Sequence, residues 1–568
     1  MSGTKEFVGY LNTLHSYYAQ NQNAYAEQNF KNRFYQDMMV KIGVTDFIVD
    51  KLKTENPQVV ILTGHAGDGK TSIMYQVLEQ MGVRDFASGM SSFDVNFLNG
   101  RHCRCIKDFS ELNSTARLEI FRDAAEYTRN GNFVFMVANT GPLITTFQEF
   151  CEPSVREEQT VSFIGMIEKS SGEQATIQNL PISAINLASV DNTQFAKQFL
   201  SKMTGDLFWG DCAQCLKREF CHIKLNRELI IRNRDQVDRF LNEHYMWLAE
   251  HGNRLTVRSI SEQLSYMLTG GDNCEDVYER DRSEFLFSNL FFGYRGRDID
   301  EKALNLPAVR AAYECHYDRR KLKADETILL EKDYSQYFGT ETAKILDDIV
   351  RRMSKATGLP ELIRRTYLFL NIRNDDAREK DIADIFSSQY ARYIKLTCTD
   401  EKVAGKDNSL ITEALIAVYL GSPMKMRGSS SRMQAIPITL SRESGLYQTV
   451  QLVTGTVNTK KVILKKVPTN EKAFHSGAKK YSLRLEVDKT ELQGDIDLPL
   501  LDYFDEIRNG IISTDVDPVL THGIENIKSQ LSQIAEDDTE GIELYVMKND
   551  GAQPITLEII DGNLECDY

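Results

Sequence analysis

The stretch VVILTGHAGDGKTS, Val59 to Ser72, joins an apolar run to a glycine-rich turn, and SIMYQVLEQM, which has a helical pattern, follows from Ser72. Gly64, Gly69, Lys70 and Thr71 satisfy G-x-x-x-x-G-K-[ST] in the strand, turn, helix context that this pattern needs. A glycine-rich turn lets successive backbone N–H groups wrap phosphate oxygens, and the helix behind it points its positive end at them. Gly64, Gly67, Gly69, Lys70, Thr71 and Ser72 are therefore the candidate nucleotide-binding residues. Lys70 is placed to reach the β and γ phosphates of ATP, and Thr71 to offer its hydroxyl to Mg2+.

Working outward, short apolar runs at 59–62, 103–106, 133–137 and 182–187 alternate with helix-like segments. Runs of that kind predict a parallel sheet buried on both faces, with Cys103 and Cys105 as core residues. Such a sheet binds ligands at the carboxyl ends of its strands. Asp108 follows the second run and is the candidate second magnesium ligand, beside Thr71. The residue after it is Phe109, so the nearest candidate for activating water is Glu111, and magnesium binding is better supported than water activation. Asn139, just past the third run, is a polar amide suited to orienting water or sensing a γ-phosphate; shaping a turn before Gly141 is the plainer reading.

The remaining chain is less specific. Phe30, Phe34, Met38, Met39 and Ile42 recur at helical spacing and predict one helix face in a lead-in segment. After about residue 195 the chain reads as helical to about 420, including an amphipathic stretch from Leu255 to Leu268. MKMRGSSSR, 424–432, reads as a basic linker carrying Arg427 and Arg432. Beyond it the pattern turns β-rich, with a hairpin expected from 450–457 and 461–467, a strand at 481–487, helix around 500–534, and a last strand pair at 542–547 and 555–560.

In WGDCAQCLKREFCHIKLN, Cys212 and Cys215 form C-x2-C, with Cys221 and His222 six and seven residues on. Thiolates at that spacing hook one side of a tetrahedral Zn2+. His222 is an awkward fourth ligand, because adjacent residues seldom both point inward, so Cys274 or another remote residue is the alternative. A structural role is expected, since no acid or base accompanies the group. Free buried thiols are the other reading.

The order of phosphate loop, Asp108, Asn139, the strand ISAINL and LTVRSISEQLSYMLTGG resembles AAA+ type P-loop ATPases. The resemblance implies ATP with Mg2+ as cofactors and makes Arg258, near the start of the late helix, a lid arginine that contacts the γ-phosphate. Within that group, GDGKT, KDFSEL, VANTGPL and the cysteine-bearing lid resemble bacterial phage-defence ATPases such as the DptF family of DNA phosphorothioation-dependent restriction. The resemblance covers roughly residues 55 to 270. It implies the ATPase component of a multi-protein anti-phage restriction system, with other subunits of a defence complex or further copies of itself as partners.

The fold class expected is multidomain α/β and α. Residues 1–55 form a helical lead-in, 56–200 a P-loop NTPase (AAA+-like) parallel-sheet core, 201–290 a helical lid with the cysteine cluster, 291–420 a helical middle region and 421–568 an α+β C-terminal domain. Over 568 residues, 42% hydrophobic and 26% charged are the proportions of an ordinary globular protein. A net charge of −15 argues against a uniformly basic nucleic-acid coat, so DNA contact is expected to be indirect or regional. Residues 1–10 lack a signal-peptide pattern and no apolar run reaches about 18 residues, so a cytoplasmic location without membrane contact is expected. Ten cysteines are sparse for a disulfide framework in this length. No nuclease constellation stands out, which leaves any cutting of DNA to a partner. The alternatives are a nucleotide-gated scaffold with little turnover and a small-molecule kinase, for which the chain is too long.

Overall fold

The computed structural model describes residues 3–15, 32–83, 90–278, 282–331, 335–352, 359–421, 435–440, 449–469, 479–511, 516–536, 541–548, 551–561 and 563–567. The basic loop with Arg427 and Arg432 lies outside the described residues. The chain forms two compact units, one over Met1–Asp375 and the other over the described chain from Asp376 onward.

In the first unit a six-stranded sheet is built from β1 (Val59–Thr63), β2 (Ser92–Asn96), β3 (His102–Ile106), β4 (Phe133–Val137), β5 (Ala175–Ile177) and β6 (Leu180–Asn186). Its order is β2-β3-β4-β1-β6-β5. The central β3, β4, β1 and β6 are parallel, and β2 and β5 close the edges antiparallel. Every residue of β1 and β4 is buried, which is why both read as unbroken apolar runs. Val60, Leu62, Phe135 and Val137 pack on one face with Ile48, Ile73 and Val77. Val59, Ile61, Val134 and Met136 pack on the other with Phe121, Leu143, Phe147 and Phe163. Each such side chain contributes roughly 1.5–3 kcal/mol of burial. Edge strand β2 is buried only at alternate residues and β5 is three residues long, so neither carries the apolar run that marks the centre.

Because the four central strands are parallel, the turns after β1, β3, β4 and β6 share one sheet edge. From β1 the chain first builds the β4–β3–β2 side and then crosses to β6, so β1 marks the topological switch point where open α/β sheets take ligands.

The lead-in departs from the expected single helix. Phe34 and Met38 lie on the short helix Arg33–Met38, which stops where Met39 turns extended (φ −63°, ψ 128°), and the next helix is Gly43–Thr54. Phe30 lies outside the described residues. Met38, Val40 and Ile42 are all buried, and Gln76 Nε2 donates to the Val40 carbonyl at 3.1 Å. Packing of an extended segment onto the sheet domain thus overrides helical spacing.

Helices follow at Phe195–Thr204, His222–Arg232, Arg234–Glu250 and Val257–Thr269. Among the described residues no helix is long and apolar enough to cross a membrane.

The second unit opens with helices Arg378–Ile385, Ser388–Cys398 and Gly405–Leu420. Its strands include β9 (Ala435–Thr439), β10 (Val450–Asn458), β11 (Val462–Pro468), β12 (Tyr481–Val487), β13 (Thr490–Glu491), β14 (Ile542–Lys548), β15 (Gly551–Ile560) and β16 (Asn563–Asp567), the intervening labels β7 and β8 being the two-residue strands Tyr294–Arg295 and Asp298–Ile299 of the first unit. They form a five-stranded sheet, β16-β15-β14-β10-β9, and a three-stranded one, β11-β12-β13. The expected pair β14–β15 is present. The expected hairpin of 450–457 with 461–467 is not: β10 pairs with β9 and β14, and β11 pairs with β12. The turn Thr459–Lys461, capped by the Asn458 side chain, sends the chain from one sheet into the other.

Candidate functional site

The loop after β1 depends on glycine at the positions the motif names. Gly64, Gly67 and Gly69 have φ of 145°, 90° and 84°, a region other residues enter at a cost. At Gly67 crowding adds to backbone strain: a Cβ there would lie 3.0 Å from Thr256 Oγ1 and 3.3 Å from Arg258 Cβ. The helix Val257–Thr269 therefore starts directly on the loop, and the Arg258 N–H donates to the Gly67 carbonyl at 3.1 Å.

Lys70 begins the helix Lys70–Gln80 and is buried. Its Nζ donates to the carbonyls of Gly64 (3.1 Å) and His65 (2.7 Å), so the amine spans the mouth of the loop. Burial pushes its pKa down to about 8; Asp68 opposes the fall and Arg258 adds to it. Thr71 follows on the first helical turn, half-buried. The Ser72 hydroxyl instead meets Tyr35 OH at 2.6 Å, which fastens the loop helix to the lead-in.

Two residues that the motif reading passed over organise the loop. Buried Asp68 accepts from the His65 N–H at 2.8 Å and from Arg254 Nη1 at 3.0 Å. Arg254 Nη2 also donates to the Leu187 carbonyl at 2.7 Å, just past β6. Asp68 occupies a variable position of the motif and Arg254 lies 186 residues away, so only the fold reveals the pair.

At the same sheet edge Asp108 is half-buried, with Lys107 Nζ 3.4 Å from its carboxylate. It opens the turn Phe109–Glu111, anchored by buried Phe109 edge-on to Phe121. Burial, then the charges of Asp108 and Tyr35, pushes the phenol of Tyr75, on the helix that carries Lys70, up to about 12. Ser110 Oγ accepts the Asn139 N–H at 2.7 Å and links the turns after β3 and β4. The Asn139 side chain does not cap the helix Thr140–Phe150 that it precedes. Thr63 and Thr140 hydroxyls, 3.0 Å apart, tie β1 to that helix. Glu111 is exposed.

Arg258 is exposed, one residue into its helix. One turn on, burial pushes the Glu262 carboxyl up to about 7, against the pull of Arg258. The structure thus gathers the loop residues, Asp108, Asn139 and the start of the Arg258 helix at the carboxyl edge of β1, β3 and β4.

The cysteine segment lies apart from this edge. Cys212, Cys215, Cys221 and Cys274 are free thiols. His222 Nε2 is engaged elsewhere, 3.0 Å from the Thr269 carbonyl and 3.6 Å from Asp272, and its ring packs against Phe285. Among the described residues no three His, Cys, Asp or Glu side chains stand ready to hold a metal ion.

Comparison with protein-family models, curated proteins and solved structures finds no match.

Proposed function

We propose that the chain binds ATP with Mg2+ on the loop Gly64–Ser72 and hydrolyses it, as an AAA+ type ATPase. The observation that carries this is the loop itself: three glycines at positive φ and a buried lysine amine at the switch point of a parallel sheet. Backbone N–H groups and Lys70 would hold the phosphates, and Thr71 with Asp108 the magnesium. Asn139 and Arg258 would read the γ-phosphate from two sides, Arg258 from a helix that already rests on Gly67. Loss of that phosphate would then be felt by the helix, a known route from hydrolysis to domain movement.

The sequence resemblance favours a role for this activity in a multi-protein anti-phage DNA restriction system, with other subunits or further copies of the chain as partners and DNA contacted indirectly or regionally. One observation favours a second reading, a nucleotide-gated scaffold with little turnover: Glu111, nearest the magnesium ligand, is exposed on a turn. Turnover and ATP binding measured with and without DNA separate the two. Hydrolysis abolished by Lys70→Ala supports the ATPase; tight ATP binding without phosphate release supports the scaffold; no ATP binding by the wild-type chain overturns both.

A further inference from the structure

We propose that Cys212, Cys215, Cys221 and Cys274 together hold one Zn2+, with Cys274 in place of His222 as the fourth ligand. Cys212 lies in the turn Gly210–Gln214, and the Cys215 N–H returns to the Cys212 carbonyl at 3.4 Å, closing a tight C-x2-C knuckle. Cys221 caps the helix His222–Arg232, its sulfur accepting the Lys224 N–H at 3.4 Å. Cys274 follows the helix Val257–Thr269, in a turn that Asp276 holds by accepting the Asn273 N–H at 3.0 Å. Lys217 fastens the two segments, donating to the carbonyls of Cys274 (3.3 Å) and Glu275 (2.8 Å).

Cys274 lies within reach of the charges of Cys221, Cys212 and Cys215, and Cys212 within reach of those of Cys221 and Cys215. As they stand the four sulfurs do not form a closed ligand sphere; a tetrahedral ion would draw them together.

Two observations point to a metal over idle thiols. Trp209 is the last buried anchor of this segment, and from Gly210 to Phe220 no residue is buried, Leu216 being exposed, so the C-x2-C knuckle has no apolar core of its own to order it. Segments in that condition are ordered by staples, and four thiolates select zinc or iron over hard cations. Lys217, which donates to the Cys274 carbonyl, and Lys224, whose N–H donates to the Cys221 sulfur, also bring positive charge beside the thiols, which would offset part of the net negative charge of a four-thiolate site. Such a site would pin the far end of the helix whose first turn rests on Gly67. The proposal stands independently of the nucleotide reading.

The test is metal analysis of the purified full chain and its variants. About one Zn2+ per chain is expected, lost in Cys212→Ser and Cys274→Ser and retained in His222→Gln. Because a cysteine variant can fail by misfolding, the wild-type chain is also loaded with Co2+, whose thiolate charge-transfer and ligand-field bands distinguish four sulfurs from three sulfurs and one nitrogen. A four-sulfur spectrum supports the assignment. A three-sulfur, one-nitrogen spectrum, zinc retained in Cys274→Ser, an iron–sulfur chromophore, a disulfide among these cysteines or a metal-free chain would each overturn it.

Discussion

Each unit of the molecule contains a buried aspartate held in the same way, yet the two serve different ends. In the first unit Asp68 accepts the N–H of His65, three residues back, and the guanidinium of Arg254. In the second, Asp407 accepts the N–H of Ala404, again three residues back, at 2.7 Å and the guanidinium of Arg392 at 2.8 Å. Asp407 does this at the start of the helix Gly405–Leu420, where an acid also meets the positive end of the helix. Asp68 does it in a loop of left-handed glycines, beside Lys70, whose amine donates to two loop carbonyls. One pair secures a helix; the other ties the glycine-rich loop after β1 to the segment that leads into the Arg258 helix. The same ion-pair chemistry orders a helix start or a loop according to what lies next to it.

The largest effect is expected from cutting the structural pair. Arg392→Ala leaves a buried carboxylate without its cation and should cost about 3–5 kcal/mol of stability in the second unit. Chemical denaturation would show this, and ATP affinity should stay at the wild-type value. A parallel loss of ATP binding would break the proposed division of labour.

Arg254→Ala should cost somewhat less, about 2–4 kcal/mol, because Arg254 is partly exposed. Here ATP binding should fall as well, by about tenfold or more, since an unpaired Asp68 competes for Lys70 and repels phosphate. Calorimetric titration of Arg254→Ala alongside the double variant Asp68→Asn/Arg254→Ala checks this. The double variant should recover affinity; equal losses in both would assign the effect to Arg254 itself.

Glu262 sharpens the contrast at the Arg258 helix. Its folded carboxyl titrates near 7 against an ordinary 4.5, so burial costs nothing below pH 4.5, and the penalty grows as pH rises through 7. Glu262→Gln should therefore stabilise the first unit by about 1–2 kcal/mol at pH 8 and leave it unchanged near pH 4. Thermal melts at the two pH values decide it.

The smallest effect is a pH dependence. Phosphate favours charged Lys70, whose pKa in the free loop is about 8, so ATP binding takes up a proton above that pH. Affinity should fall by up to about tenfold per pH unit above 8 and be flat below. Lys70→Arg, which stays charged throughout, should remove the slope; a slope that persists would assign the proton to another group.

Much of the first unit was legible because its signals are local. Apolar runs, unbroken in β4 and over Val59–Leu62 of β1, mark all four central strands, and the loop glycines sit at spacings that follow from chain geometry. Asp108 and Asn139 were legible because each stands within two residues of the end of such a run. The second unit was read less well: strands β10 and β11 were placed correctly but paired wrongly, since a short polar turn joins consecutive strands of one sheet as readily as strands of two. The lead-in misled for a related reason, as Phe34, Met38 and Ile42 are all buried but by different backbones.

The sequence by itself determined the buried parallel strands, the positive-φ glycine turn after β1 and the turn chemistry, because periodicity and glycine placement act over a few residues. The tertiary structure alone decided that Arg254 answers Asp68 and that His222 turns to Thr269. A buried charge or thiol requires a partner, but nothing in its local sequence says which distant residue the fold will bring.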